Sequence, residues 1–197
     1  MDETVLAAMA RWPEVPAVYG WLRLDRRGRW LLVDRGRPGF DEAVHGAGSP
    51  ITNPQILAFI ERNYAHDDRG RWFWQNGPQR VFVDVEVAPL VLHVLGEGHE
   101  QRLLAHTGQP VARLESAWRT PEGALLVVTD LGPGVVLDLD LAALGLDFTE
   151  CGDGELVPTA VTVGAVTLPV APVERPDALG FVRRPRPETP DGGEAAR

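Results

Sequence analysis

Short apolar stretches alternate along the chain with clusters of Gly, Pro and Asp, and most of these stretches repeat with a period of two. In "GWLRLDRRGRWLLVD", Leu22 and Leu24 alternate with Trp21 and Arg23. Asp25 to Gly28 supplies turn chemistry and Trp30 to Val33 returns, so the pattern predicts a hairpin. "RGRPGFDEAVHGAGSP", 35–50, is rich in Gly and Pro and predicts a loop. The period then changes. In "ITNPQILAFIERNY", Ile56, Phe59, Ile60 and Asn63 share one helical face, Thr52 or Asn53 can cap the free amides, and Pro54 suits the first helical position. Arg71 to Gln75 predicts a strand, "NGP" a turn, and "QRVFVDVEV" a second strand. Val81, Val83, Val85 and Val87 fall on one of its faces, and Phe82, Asp84 and Glu86 on the other. Pro89 interrupts, and "LVLHVL" follows as another short strand.

The second half repeats this idiom more faintly. "LLAHTGQPVARLESAW" predicts two strands, "RTPEGALLVVTD" a hairpin turning at Gly123, "GVVLDLDLAALG" a strand leading into a short helical segment, and "LVPTAVTVGAVTLPV" two closing strands. The fold class expected is α+β and strand-rich, with two small, similarly built domains of antiparallel hairpins packed on a helix. The expected boundaries are an N-terminal segment at 1–19 with a short helix in its first ten residues, a first domain at 20–95, a second, β-rich domain at 96–182, and a disordered tail at 183–197, where "RRPRPETPDGGEAAR" has no apolar residue beyond Ala.

Charge narrows the classes of function. All 19 basic residues are arginine, so no chemistry that depends on a lysine is available. Residues 1–80 hold 11 Arg against 10 acids, whereas residues 81–182 hold 4 Arg against 15. A net charge of −9 argues against sequence-independent nucleic-acid binding. No apolar run is long enough to cross a bilayer. The single cysteine, Cys151, excludes an internal disulfide and, with acidic neighbours, makes a poor nucleophile. The expected compartment is the cytoplasm. His45, His66, His93, His99 and His106 show no metal-ligand spacing, and no cofactor is expected.

One charged motif occurs twice, as Asp25-Arg26-Arg27-Gly28-Arg29-Trp30 and as Asp67-Asp68-Arg69-Gly70-Arg71-Trp72. It reads either as a site or as a repeated hairpin turn. If the two turns lie together, Arg27, Arg69 and Arg71 form a patch of forked donors suited to phosphate or carboxylate. Otherwise they are solvated turns balanced by Asp25, Asp67 and Asp68. Trp72 and Trp74 share a strand face and mark either an interface between domains or a partner surface. Asp84 and Glu86 share a face too; they are either an acid–base pair or a solvent face paired with Arg71 or Arg80.

The order of a D-x-x-G-x-W hairpin, Pro50-Ile51 opening a helix, a Gly-Arg-Trp strand and "VFVDVEVAPLV" resembles the uncharacterised bacterial domain of unknown function 1285 family. The most specific segment is Val83 to Pro89. The resemblance covers roughly 20–110 and fades beyond, which points to a sister family rather than membership. It implies two similarly folded α+β domains packed side by side and a role in ligand sensing or signalling, with no catalytic residues carried over. The reading that follows is a non-enzymatic, cytoplasmic module that binds a ligand or a protein partner. The alternative is an enzyme acting on an anionic small molecule in a cleft between domains, with Asp84 or Glu86 as base.

Overall fold

The computed structural model describes residues 1–150, 152 and 154–187. Cys151 and residues 188–197 of the expected tail lie outside the described residues. The chain folds into two mixed sheets with few helices. The first sheet holds β1 (Val18–Leu24), β2 (Trp30–Leu32), β3 (Ser49–Pro50), β4 (Tyr64–His66), β5 (Trp72–Asn76) and β6 (Gln79–Val85), in the order β3-β2-β1-β6-β5-β4. The second holds β7 (Leu90–Leu95), β8 (Arg102–Ala105), β9 (Leu114–Arg119), β10 (Leu125–Thr129), β11 (Gly132–Val136), β12 (Gly145–Glu150), β13 (Leu156–Val163) and β14 (Val166–Pro172), in the order β12-β13-β14-β9-β10-β11-β7-β8.

The sequence expects antiparallel hairpins, and most neighbours are antiparallel. Three pairings are parallel and join hairpins distant in sequence: β1 with β6, β11 with β7, and β14 with β9. The "VEVAP" segment is the covalent step between the sheets. Val87 and Ala88 are buried there, so its apolar character serves the core.

Among the described residues three α-helices accompany the strands: α1 (Glu3–Arg11), α2 (Glu42–His45) within the expected loop, and α3 (Pro54–Arg62). The α3 start is as the sequence implies: the Asn53 side chain accepts from the amides of Gln55 and Ile56, and Pro54 occupies the first turn. Its buried face is narrower than expected. Ile60 and Asn63 are buried, but Ile56 is 45% exposed. The second sheet carries only 3₁₀ turns among the described residues, so a helix supporting each sheet is not observed.

The repeated motif is a hairpin turn, and it occurs in four versions. Asp25 donates its amide to Arg29 O at 3.1 Å and accepts from the Gly28 amide at 3.1 Å; the Asp67–Arg71 turn gives 3.1 and 3.0 Å, Ala105–Gln109 2.9 and 2.8 Å, and Thr120–Ala124 3.0 and 3.0 Å. The fourth residue is always Gly at positive φ: 78° at Gly28, 70° at Gly70, 79° at Gly108 and 80° at Gly123. This is a type I turn closed by a left-handed residue, which only Gly adopts freely. The Asp versions add a side-chain clasp. Asp25 Oδ1 accepts from the amides of Arg27 (2.9 Å) and Arg29 (2.8 Å), and Oδ2 accepts from Arg29 Nε at 2.6 Å. Asp67 repeats this with Arg69 (3.0 Å), Arg71 (3.0 Å) and Arg71 Nε at 2.7 Å. Asp25 is buried rather than solvated, because these donors satisfy it.

The Asp67 turn also receives the C-terminal segment. Val182 donates its amide to Gly70 O at 2.9 Å, and the Val85 amide donates to Arg183 O at 2.8 Å. Residues 183–187, placed in the tail by composition, therefore begin as a docked strap along β6. A Cβ at Gly70 would stand 2.2 Å from Gly180 O, on a backbone at φ +70°. Gly70→Ala is expected to cost at least about 2 kcal/mol in chemical denaturation, combining left-handed strain with displacement of the strap. A cost below about half of that would show that the strap does not press on the turn.

A single hydrophobic core joins the sheets. Leu22, Leu24, Trp30 and Val83 from the first meet Val91, Leu92, Leu126 and Val161 from the second. Among the described residues no helix is long and apolar enough to cross a membrane.

Candidate functional site

The strand alternation that buries Trp72 and Val83 in this core sends a different set of side chains to the opposite face of the first sheet. Gly77, at φ 55°, opens the two-residue turn between β5 and β6 and fixes the register, with Gln75 opposite Arg80 and Phe73 opposite Phe82. Tyr19 of β1 lies beside Phe82, their rings stacked 4.7 Å apart. Two arginines rest on this aromatic floor. Arg71 lies 4.8 Å over the Phe82 ring, and Arg80 3.9 Å over Phe73. Phe73 and Phe82 are fully buried beneath them, which desolvates one side of each guanidinium and strengthens the cation–π contact.

The N-terminal arm arches over this floor. At one end, the Asp2 amide donates to Asn63 Oδ1 at 2.8 Å and Arg62 Nε donates to Asp2 Oδ1 at 3.2 Å. Hydrogen bonds from Arg62 and Asn63 hold the Asp2 carboxyl below its usual range. At the other end, Gln79 Nε2 donates to Pro16 O at 3.3 Å. Between floor and arm lies a pocket of about 480 Å³, with Trp12, Tyr19, Arg71, Gln75, Arg80 and Phe82 among its walls. Trp12 stays 49% exposed, with Arg11 stacked 4.7 Å over its ring.

Three features set the chemistry of this pocket. Arg80 has no ion-pair partner among the described residues. Arg71 is aimed by Asp67; burial raises the Asp67 carboxyl pKa, but hydrogen bonds from the Arg71 amide, the Arg71 side chain and the Arg69 amide outweigh it and leave the pKa lowered. Gln75 is buried and donates Nε2 to Gly77 O at 3.0 Å, while its buried Oε1 has no donor. Among the described residues the pocket walls contain no carboxylate, imidazole or thiol. Such an arrangement has the charge and shape to accept an anion with a planar or apolar body. Among the described wall residues, Tyr19 carries the one ionisable hydroxyl.

The family model DUF2944, described as "Protein of unknown function (DUF2946)", matches residues 1–186. The chain belongs to this family. This family is a different one from that which the chain's first half resembles, consistent with a sister family rather than membership. Two solved structures are similar, both DUF1285 family proteins. The one from Silicibacter pomeroyi DSS-3 is 16% identical, with a TM-score of 0.45, over 80% of this chain and 94% of that one. The one from Shewanella baltica OS155 is 13% identical, with a TM-score of 0.44, over 62% of this chain and 88% of that one. No curated protein gives a significant match.

In this family member the residues singled out from sequence are dispersed. Only Arg71 lines the pocket. Trp72 is buried in the shared core. Trp74 is half-buried, edge-to-face with Phe59 at 5.8 Å, and walls a shallow cavity of about 300 Å³ with Trp21 and Leu32. Asp84 and Glu86 do share a face, but Arg71 and Arg80 are not their partners. Arg186 Nη1 donates to Asp84 Oδ1 at 3.0 Å, Arg26 Nε donates to Glu86 Oε1 at 2.9 Å, and Arg183 Nη2 donates to the Glu86 carbonyl. The turn arginines are largely engaged as well: Arg27 with Asp138 at 3.2 Å, Arg29 with Asp25, and Arg23 with Gly46 O at 3.5 Å; Arg69 is not without partners either.

Tyr19, Gln75, Arg80 and Trp12 are the pocket residues that the sequence reading passed over. For Gln75 and Arg80 a signal was present, because the "NGP" turn places them opposite each other, and alternation then puts Phe73, Gln75, Arg80 and Phe82 on one face; Tyr19 joins them only through the parallel pairing of β1 with β6. Trp12 had none, since it arrives by folding back of the arm. Among the described residues no group of His, Cys, Asp and Glu is placed to hold a metal ion.

Proposed function

We propose that the chain is a non-enzymatic binding module, working in the cytoplasm, that holds a small anion with a planar or apolar body under its N-terminal arm. The observation that carries this reading is Arg80, a guanidinium without a carboxylate partner among the described residues, lining a concave, aromatic-walled pocket beside Arg71 and a buried amide oxygen that lacks a donor among those residues. Gln75 Oε1 favours ligands that bring an N–H or O–H. We also read the two sheets as two similarly built units, a reading supported by the turn that both of them use. The enzyme alternative loses support because Asp84 and Glu86, its candidate bases, each accept from an arginine.

A thermal-shift and calorimetric screen of the full chain against phosphorylated and carboxylated metabolites tests the proposal. One class of anion should raise the melting temperature. Arg80→Ala should weaken its binding about tenfold or more, since a charge-assisted hydrogen bond contributes about 1.5–3 kcal/mol, while costing at most about 1 kcal/mol of stability through the lost ring contact. Arg80→Lys should be intermediate, keeping the charge without the fork. Unchanged affinity in Arg80→Ala, or no anion that binds, would overturn the proposal.

A further inference from the structure

The second half of the chain is where a free cation is least expected. Residues 81–182 hold 4 Arg against 15 acids. Arg113 is tied to Glu115 at 3.0 Å, and Arg175 to Asp177 at 2.5 Å. Arg119, at the end of β9, has no ion pair and no side-chain hydrogen bond among the described residues, although it is only partly exposed. It stands in the wall of a cavity of about 410 Å³ bounded by the Thr120–Ala124 turn, the 3₁₀ turn at Asp138–Ala143 and the β12–β13 hairpin.

Apart from Arg119, the Thr120 hydroxyl and Glu155, the cavity is walled mainly by hydrocarbon, including Leu125, Leu141, Leu146, Phe148 and Leu156. Thr120 Oγ1 already accepts from the Ala124 amide at 3.2 Å. Phe148 and Leu156 keep 52% and 64% of their surface exposed. Covering that surface with hydrocarbon is favourable, and a guanidinium at the rim selects the head group that such a molecule must carry. Glu155 already has a partner, whereas Arg119 has none among the described residues, so a cationic head would meet Arg119 as a like charge and a neutral head would leave it without a counter-charge.

We infer that this cavity is a second binding site, for an aliphatic carboxylate whose chain lies among the leucines and whose carboxylate is held by Arg119. It is separate from the pocket under the N-terminal arm and does not depend on it, because the two share no residue.

Calorimetric titration of the full chain with hexanoate, octanoate and decanoate, each below its micellar concentration, reads the site directly. Affinity should rise about fourfold for each added methylene until the cavity is filled. Decanoate should bind at least about tenfold more tightly than decylamine. Arg119→Ala should weaken decanoate about tenfold or more and leave 1-decanol unchanged; since the side chain has no partner to lose among the described residues, its melting temperature should stay close to that of the parent. Arg80→Ala should leave decanoate unaffected. The inference fails if decylamine matches decanoate on the unaltered protein, if none of the carboxylates binds up to its solubility limit, or if Arg80→Ala rather than Arg119→Ala removes decanoate binding.

Discussion

Trp72→Ala is expected to lower the unfolding free energy by about 3–5 kcal/mol. The side chain is 5% exposed, with its ring 4.9 Å from that of Tyr64 and 4.9 Å from that of His66. Its far edge reaches the second sheet, since a Cβ added at Gly132 would stand 3.0 Å from Trp72 Cζ2. Gly132 is therefore the complement of the indole, and the two residues form one sheet-to-sheet contact. Truncation would leave a cavity between layers that cannot close without moving the β10–β11 hairpin. Trp72→Phe should recover part of the loss, because a six-membered ring still fills the space nearest Tyr64. Trp74→Ala, half-buried against Phe59, should cost distinctly less. Urea denaturation monitored by circular dichroism checks all three variants. A loss below about 1 kcal/mol for Trp72→Ala, with a binding partner lost instead, would return this residue to the role of a surface anchor.

Acid sensitivity is the second large effect. Burial holds the His106 imidazole far below its ordinary value, to about 3, with a smaller contribution from the neighbouring charge of His93. Its Nδ1 accepts from the Val91 amide at 3.2 Å, and its Nε2 is buried without a partner. Protonation would charge a group packed 5.5 Å from Trp30 and 6.0 Å from Tyr64. The unfolded chain takes up this proton near pH 6.5 and the folded chain only near 3. The contribution of the neutral ring to stability is thus complete above pH 6.5 and is lost as the pH falls toward 3, at a slope of up to about 1.4 kcal/mol per pH unit.

His106→Asn, which keeps an acceptor near the Nδ1 position, should flatten the stability profile between pH 6.5 and 4. Below that window the lowered carboxyls of Asp2, Asp67 and Asp177 add their own losses and both proteins should fall together. Equal slopes for the two proteins between pH 6.5 and 4 would show that the imidazole is not the group being titrated.

The parts of this fold that were legible in the sequence are those whose causes are local. The turns at Gly28, Gly70, Gly77 and Gly123, the Asn53-Pro54 start of α3 and the alternation through β6 each act within a few residues, and each is found in place. Three strands went unread. β3 and β4 are two and three residues long, too short for a period to emerge. β12 carries mostly exposed side chains at the sheet margin, so no apolar stripe marks it. The sequence offers Arg71 or Arg80 as partners of Asp84 and Glu86, one of two readings of that pair, because cross-strand pairing is the local option. Arg186 and Arg26 instead reach them from remote positions, and only the docking of the C-terminal strap brings Arg186 there. The meaning of D-x-R-G-R was half legible: the turn was recognised, but the buried carboxylate clasp that lets Asp25 sit in the interior was not.

The three parallel pairings bear on how the chain reaches this fold. Leu22 lies beside Val83, Val91 beside Val135, and Ala117 beside Val170, so each sheet is completed only when the chain returns from far along its length. The four Gly-closed hairpins can form early, on the fast time scale of local contacts. Joining them across the parallel seams must then wait for loop closure, which makes these seams the slow step of folding. Until β14 arrives, β9 has an open edge, and a nascent or truncated chain ending before Val166 would present that edge to its neighbours as a site for aggregation.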